Sequence, residues 1–341
     1  MYETVKTRVD EAQRIVIIQP ENPDADSLGT ATALEEILGD LDKDVTLFCA
    51  IDIPKYLHYI EGWSRVVKDF DGKYDLAIIV DTAAEALLVK TLQTPGTRHF
   101  LETRPVLVLD HHNDEREEET AESSLSFPHD FILDDKAAAT SELLYSIAQE
   151  LGWPINKSAA TSMLASILGD TLGLSTPSVS QKTLETVLGL VKLDAHPAEV
   201  EQKRREYMKK PADILAYKAR LIERIEYYCD GRLALVHIPW EDIEQYSDRY
   251  NPSILVLDEM RLVEGVDIAI AIKTYPDRKL TGKIRSDLPL ADVVAGFFGG
   301  GGHSYSAGYK IYEDYEIAKK ELIESVVKTL NQHDDDAAKT I

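Results

Sequence analysis

The chain is 341 residues long, 44% hydrophobic and 28% charged, a composition expected of a soluble globular protein with room for two domains. Its 37 Lys and Arg against 60 Asp and Glu leave a net charge of −23, which excludes tracking along a long polyphosphate backbone but not a short anionic ligand held by a few local cations. Cys49 and Cys229 stand too far apart for a disulfide framework or a zinc ribbon and read as buried hydrophobes, and with no bilayer-length apolar run and no signal-peptide pattern at the N-terminus the expected location is cytoplasmic.

In chain order, residues 2–13 read as a short amphipathic helix leading into strand Arg14–Ile18. The loop PENPDADS follows, and Asp26 or Ser27 is the expected cap of a helix to about Leu38, because LGTATALEEIL spaces its apolar groups helically. Asp44–Phe48 is a second strand, residues 74–80 a third, and residues 83–91 a helix. The strand at residues 105–109 then runs into Asp110, His111, His112, Asn113 and Asp114. Residues 113–126, rich in charge, Ser and Thr, read either as a solvated loop or as a lid over a site. Helices over residues 137–151 and 156–168 are separated by Gly152-Trp153-Pro154, and the second ends in LGDTLG with Asp170 on the turn, either a capping acid or a ligand.

Helices at residues 181–193 and 197–209 read as a bridge, and another opens at Pro211. The distal half has Leu233–Ile238 and residues 266–274 as strands, the latter paired with residues 279–285 across Tyr275-Pro276-Asp277, which suggests a smaller α/β domain with a mixed or antiparallel sheet. Four glycines at 299–302 precede His303. They read either as a flexible hinge or as backbone that must approach a phosphate or carboxylate closely. The tail after Leu330 is expected to be disordered.

Chemistry is suggested by how the proximal strands end. Asp24 and Asp26 follow the first, Asp81 the third, and Asp110 with two imidazoles the next. One such end is an ordinary polar turn, but several strands of one sheet that deliver carboxylate and imidazole to one edge describe a site for divalent cations. In open α/β sheets that edge is where ligands bind.

With NPDADSLG, IIVDTA, VLDHH, LGDTLG and the distal pair KIRSD and GGGGHSYSAG in this order, the chain resembles the DHH/DHHA1 phosphoesterases of the RecJ-like superfamily, in particular the compact NrnA-type two-domain members. The resemblance implies a parallel-sheet DHH domain at residues 1–190, a helical linker at 191–212, a DHHA1 domain at 213–330 and an active site in the cleft between them. It also implies two divalent ions, manganese in most members and magnesium as the alternative. Asp24 and Asp81 would hold the first ion and Asp26, Asp81, His111 and Asp170 the second. Asp110 would support them, His112 would face the reacting phosphate, and Arg285, Ser286, Gly300, Gly301, Gly302 and His303 would grip the substrate. The expected activity is hydrolysis of short oligonucleotides, 3′-phosphoadenosine 5′-phosphate, or dinucleotides such as pApA and cyclic di-AMP, by a monomer or homodimer. One residue departs from the pattern: Pro20 stands where the family carries a metal-binding histidine. A nucleotide-binding protein with decayed catalysis is therefore the alternative, and a manganese-dependent pyrophosphatase a third reading.

Overall fold

Three short runs of β-branched and leucine side chains, RIVII, LAIIV and VLVLD, make the middle of one sheet, and almost every residue in them is buried. Such uninterrupted runs suit parallel strands covered on both faces. The computed structural model describes residues 2–112, 123–247 and 249–340, which divide into two compact units, Met1–Lys209 and Lys210–Ile341.

The first unit contains α1 (Glu3–Glu11), β1 (Arg14–Ile18), α2 (Ala25–Asp40), β2 (Asp44–Phe48), β3 (Leu76–Val80), α3 (Val89–Gln93), α4 (Thr97–Thr103), β4 (Val106–Asp110), β5 (Asp130–Leu133), α5 (Thr140–Leu151), α6 (Lys157–Asp170), α7 (Gln181–Lys192) and α8 (Pro197–Tyr207). Its strands are all parallel, in the order β2-β1-β3-β4-β5. Alternate residues serve two cores. Ile15, Ile17, Ile78, Val80, Leu107 and Leu109 pack beneath α1, α2, α5 and α6, while Val16, Ile18, Ile79 and Val108 pack with Leu88, Leu92 and Phe100 on the opposite face. The direction of winding reverses between β1 and β3, so a crevice is expected at the carboxyl ends of those two strands.

The second unit contains α9 (Ala212–Glu223), β6 (Glu226–Tyr228), β7 (Leu233–Ile238), α10 (Trp240–Tyr246), α11 (Pro252–Arg261), β8 (Ile268–Thr274), β9 (Lys279–Ser286), α12 (Ala291–Gly296), β10 (Gly301–His303), β11 (Ser306–Tyr312) and α13 (Tyr315–Thr340). Its sheet, ordered β10-β11-β9-β8-β7-β6, is mixed: β7 and β8 are parallel and the other neighbours antiparallel. The α/β class with one parallel and one mixed sheet is thus as expected.

Several local expectations are corrected. The cap of α2 is Asp24, not Asp26 or Ser27: its carboxylate accepts from the Asp26 and Ser27 amides, which places Asp26 inside the first helical turn. The helix at 197–209 does not bridge the two units but belongs to the first, where Val200 joins Leu190 and Ala195 in the core. Residues 331–340 are not a frayed tail but the end of α13. No Gly or Pro stops the helix after Leu330, and Asp334 pairs with Arg232. Cys49 is buried, whereas Cys229 is only half-buried, in a turn with φ of 55°. Among the described residues no helix is long and apolar enough to cross a membrane.

Candidate metal centre

Acids stand at the carboxyl ends of three neighbouring strands: Asp24 and Asp26 beyond β1, Asp81 beyond β3, and Asp110 as the last residue of β4. Asp81 sits immediately beyond β3 with φ of 64°, a left-handed conformation that a short polar side chain tolerates better than most. Two glycines let the helical side of the site close up. A Cβ on Gly29 would lie 2.7 Å from the Ser162 carbonyl oxygen, and one on Gly169 would lie 2.3 Å from the Ala25 Cβ. The first contact allows α6 to lie against α2 closely enough for Ser166 to reach Asp26, and the second brings Asp170 to the start of α2.

Asp26 is buried, and both of its oxygens accept hydrogen bonds. Its Oδ1 accepts from the Thr30 hydroxyl at 3.0 Å, the Ser166 hydroxyl at 2.6 Å and the Ser141 amide at 3.3 Å, and its Oδ2 accepts from the Thr140 amide at 2.7 Å. The two amides are the first of α5, where the helix dipole favours an anion. Burial pushes the Asp26 carboxyl up, but the neighbouring His111 imidazole and these hydrogen bonds outweigh it and hold the carboxyl below its usual range. Asp81 goes the other way: burial first, then repulsion from Asp26 and Asp24, drives its carboxyl far above the ordinary value. Burial and Asp26 likewise push Asp24 up, and they push Asp170 to about 6. Four carboxyls so crowded need positive charge near them to ionise together.

His111 indicates where that charge belongs. Its Nδ1 lies 3.1 Å from the Ala137 carbonyl oxygen, which can only accept, so Nδ1 is a donor and Nε2 is the ring atom left to face the carboxylates. That Nε2 is buried without a hydrogen-bond partner among the described residues, 3.5 Å from Asp26 Oδ2, 3.6 Å from Asp170 Oδ2 and 3.8 Å from Asp81 Oδ1. Three carboxylate oxygens gathered round one ring nitrogen repel one another unless positive charge lies among them. A backbone carbonyl behind the imidazole is also the usual support of a metal-ligating histidine. The donor set therefore fits a divalent ion. Ligand atoms of Asp26, His111 and Asp170 lie within 4.8 Å of one another, as do those of Asp81, His111 and His112.

Asp110 is occupied differently. Its Oδ1 accepts from the His111 and His112 amides at 2.8 and 3.1 Å and from His112 Nδ1 at 2.8 Å. This hydrogen bond raises the His112 imidazole to about 9, so the exposed ring stays protonated near neutral pH. Asp24, Asp26, Asp81, Asp110, His111, His112 and Asp170 thus all lie in the first unit, the last six joined by the contacts above and Asp24 bonded to the Asp26 amide.

The remaining expected residues lie in the second unit. Arg285 is on β9, its guanidinium donating to the Ile284 carbonyl, and Ser286 is buried with its hydroxyl committed to the Asp267 carbonyl at 3.1 Å. Gly300 passes so close to Gly308 and Tyr309 that a Cβ would meet the Gly308 oxygen at 2.3 Å, whereas one on Gly301 would meet nothing. Gly301, Gly302 and His303 pair with β11 as an edge strand, so the segment is not an open hinge. The His303 side chain lies outside the described part of the structure, and so do residues 113–122 of the segment read as a solvated loop or a lid. Further along that segment, Ser124 donates its amide to the carbonyl of Ala83, two residues after Asp81.

Sequence reasoning missed Thr140, Ser141 and Ser166, which hold Asp26, and Thr140 also donates its hydroxyl to Asp81 at 3.0 Å. The only signal for the first two was the Thr-Ser-Glu start of a helix; an isolated serine on an apolar helix gives none.

Residues 14–167 match the DHH family, N-terminal domain. A probable bifunctional oligoribonuclease and PAP phosphatase NrnA of Streptococcus mutans is 23% identical over 330 residues, covering 96% of this chain and 98% of its own. An exopolyphosphatase-related protein from Bacteroides fragilis superposes with a TM-score of 0.81 at 18% identity, covering 97% of this chain and 95% of its own. Exonuclease RecJ bound to manganese superposes with a TM-score of 0.51 at 15% identity, covering 96% and 93%. At these identities the two structures attest the fold.

Proposed function

We propose that this chain, whose residues 14–167 match the DHH family, N-terminal domain, is a metal-dependent phosphoesterase acting on short nucleotides, namely oligoribonucleotides of a few residues, 3′-phosphoadenosine 5′-phosphate, or linear and cyclic dinucleotides. The observation that carries this reading is the unpartnered Nε2 of His111 among three carboxylates, a constellation made for a cation rather than for a fold. The relative named as an oligoribonuclease and PAP phosphatase, aligned over nearly the whole chain, supplies the substrate class.

In this reading Asp24 and Asp81 would hold a first ion, and Asp26, Asp81, His111 and Asp170 a second. Oxygen and imidazole donors suit manganese or magnesium. Bound there, such ions supply a water acidic enough to attack phosphorus and positive charge for the phosphoryl oxygens. The protein does the rest. Thr140, Ser141 and Ser166 keep Asp26 ionised and fixed, and Ala137 fixes the His111 ring. Asp110 holds His112 protonated, a donor able to meet a phosphoryl oxygen or to deliver a proton to the leaving oxygen as the P–O bond breaks. Arg285, the glycine segment 301–302 and His303 are assigned to the substrate, while the Gly300 amide is committed to the Ala295 carbonyl at 3.0 Å and Ser286 holds the end of β9 in place.

The test is release of mononucleotide from a 5′-labelled diribonucleotide by metal-free protein titrated with manganese, beside Asp81→Ala. Manganese-dependent turnover lost in the variant is the expected result. No turnover on diribonucleotide, 3′-phosphoadenosine 5′-phosphate and cyclic dinucleotide alike would sink the reading.

A further inference from the structure

Gln19, the residue after β1, is completely buried, yet among the described residues neither Oε1 nor Nε2 of its carboxamide has a hydrogen-bond partner. Burying an amide unpaired is costly, and native folds rarely leave both ends of one idle. Its direction follows from the strand. The Gln19 amide donates to the Phe48 carbonyl at 3.0 Å, so the ladder with β2, and with it the alternation of side chains, extends one residue beyond β1. Ile15 and Ile17 face the core beneath α2, and Gln19 is next on that face. The pairing of Ile18 with Ile79 puts Gln19 level with Val80, one residue short of Asp81. The same loop then supplies Asp24 and Asp26.

The neighbouring groups that could complete a cation site here are already occupied. Pro20 has no donor atom in its side chain, and its carbonyl accepts from the Cys49 thiol. Glu21 turns away, its Oε1 accepting from the Thr91 amide at 2.9 Å. Among the described residues, the hydrogen bonds to the Asp24 side chain fall on Oδ1.

We propose that the Gln19 carboxamide completes the cation site shared by Asp24 and Asp81, with Oε1 as a ligand and Nε2 donating to a carboxylate or phosphoryl oxygen at the same place. This rests on the metal-centre reading above and extends it to a residue that compensates for Pro20. An amide oxygen is a neutral, hard donor of the kind manganese and magnesium accept.

The experiment is calorimetric titration of metal-free protein with Mn2+, paired with electron paramagnetic resonance of the loaded protein and thermal melting of both forms, for wild type, Gln19→Leu and Gln19→Glu. Gln19→Leu should weaken one of two Mn2+ sites by about 10–100-fold and replace a coupled-pair spectrum by that of an isolated ion. In metal-free protein the same change should raise the melting temperature, because an idle buried amide is gone. Gln19→Glu should retain or tighten the site. Should Gln19→Leu fail to fold, Gln19→Met keeps the length and tests the same loss. Wild-type isotherms in both Gln19→Leu and Gln19→Met would overturn this inference alone, whereas a wild-type protein that binds no Mn2+ would overturn the metal centre with it.

Discussion

Asp81 is the side chain with most at stake in the centre, since burial and the charges of Asp26 and Asp24 both oppose its ionisation. Asp81→Asn keeps the size and tolerates the left-handed backbone, but removes the charge. In metal-free protein the variant should therefore melt higher than wild type. With manganese at about 100 times its dissociation constant the wild type should gain roughly 2.7 kcal/mol, a rise of about 5–10 °C for a unit of this size, and the variant little of it. Equal manganese-induced shifts would count against Asp81 as a ligand. His112→Asn bears on chemistry instead: kcat on a diribonucleotide should fall about 10²–10⁴-fold while the Mn2+ isotherm stays as in wild type. Much of the centre was legible in the sequence, because acids placed directly after apolar strands can lie only at the sheet edge. The hydroxyls of Thr140 and Ser166 were not, since their bonds to Asp81 and Asp26 span 59 and 140 residues and depend on how helices cross.

Helix α2 offers an internal comparison at the scale of elements. Gly29 and Gly39 occupy the same helix, but a Cβ on Gly29 would press on the Ser162 carbonyl and Ser166, while one on Gly39 would meet nothing. Gly29→Ala should cost about 1–3 kcal/mol by prising α2 from α6, and Gly39→Ala should add about 0.5–1 kcal/mol through helix propensity. Denaturant melts of the two variants check both signs. In the second unit, strands β8, β9 and β11 present Lys273, Lys283 and Lys310 along one groove of ≈ 570 Å³. Burial, helped by Lys283, lowers Lys273 to about 8 from 10.5. The folded state thus resists the proton that the unfolded chain keeps, so the destabilising contribution is complete below pH 8 and disappears as pH rises past 10.5. Lys273→Met should be the more stable form at neutral pH, with the gap to wild type closing between those two values; a gap independent of pH would refute the assignment. The apolar strands β1, β3 and β4 were readable from composition. Strand β5 was not, being four residues that are all half-buried, and β10 and β11 were hidden behind glycines that serve close strand pairing.

Across the whole molecule the charge is uneven. Residues 210–341 hold 17 Lys and Arg against 23 Asp and Glu, a net of 17 − 23 = −6, so residues 1–209 carry the other −17 of the total −23. The unit with the candidate metal centre is thus strongly acidic, while the other is nearer balance and carries Lys273, Lys279, Lys283, Arg285 and Lys310 on strands β8, β9 and β11. A cation-loaded centre can attract a short nucleotide at close range, where bound ions are the largest local charges. A long polyanion must also bring its distant phosphates against the acidic surface, where repulsion acts over a Debye length of about 8 Å at physiological salt. The expected outcome is a kcat/KM with manganese that falls by an order of magnitude or more as oligoribonucleotides lengthen from two toward roughly twenty residues, the range of rate effects that such fields produce. The fall should shrink as salt is raised, because screening relieves the longer substrate most. A protein that grips long RNA through phosphate contacts would do the opposite, losing affinity for it steeply with salt. Measuring kcat/KM against length at low and physiological salt separates the two, and a value that rises with length would place this protein among processive nucleases rather than enzymes of short-fragment disposal.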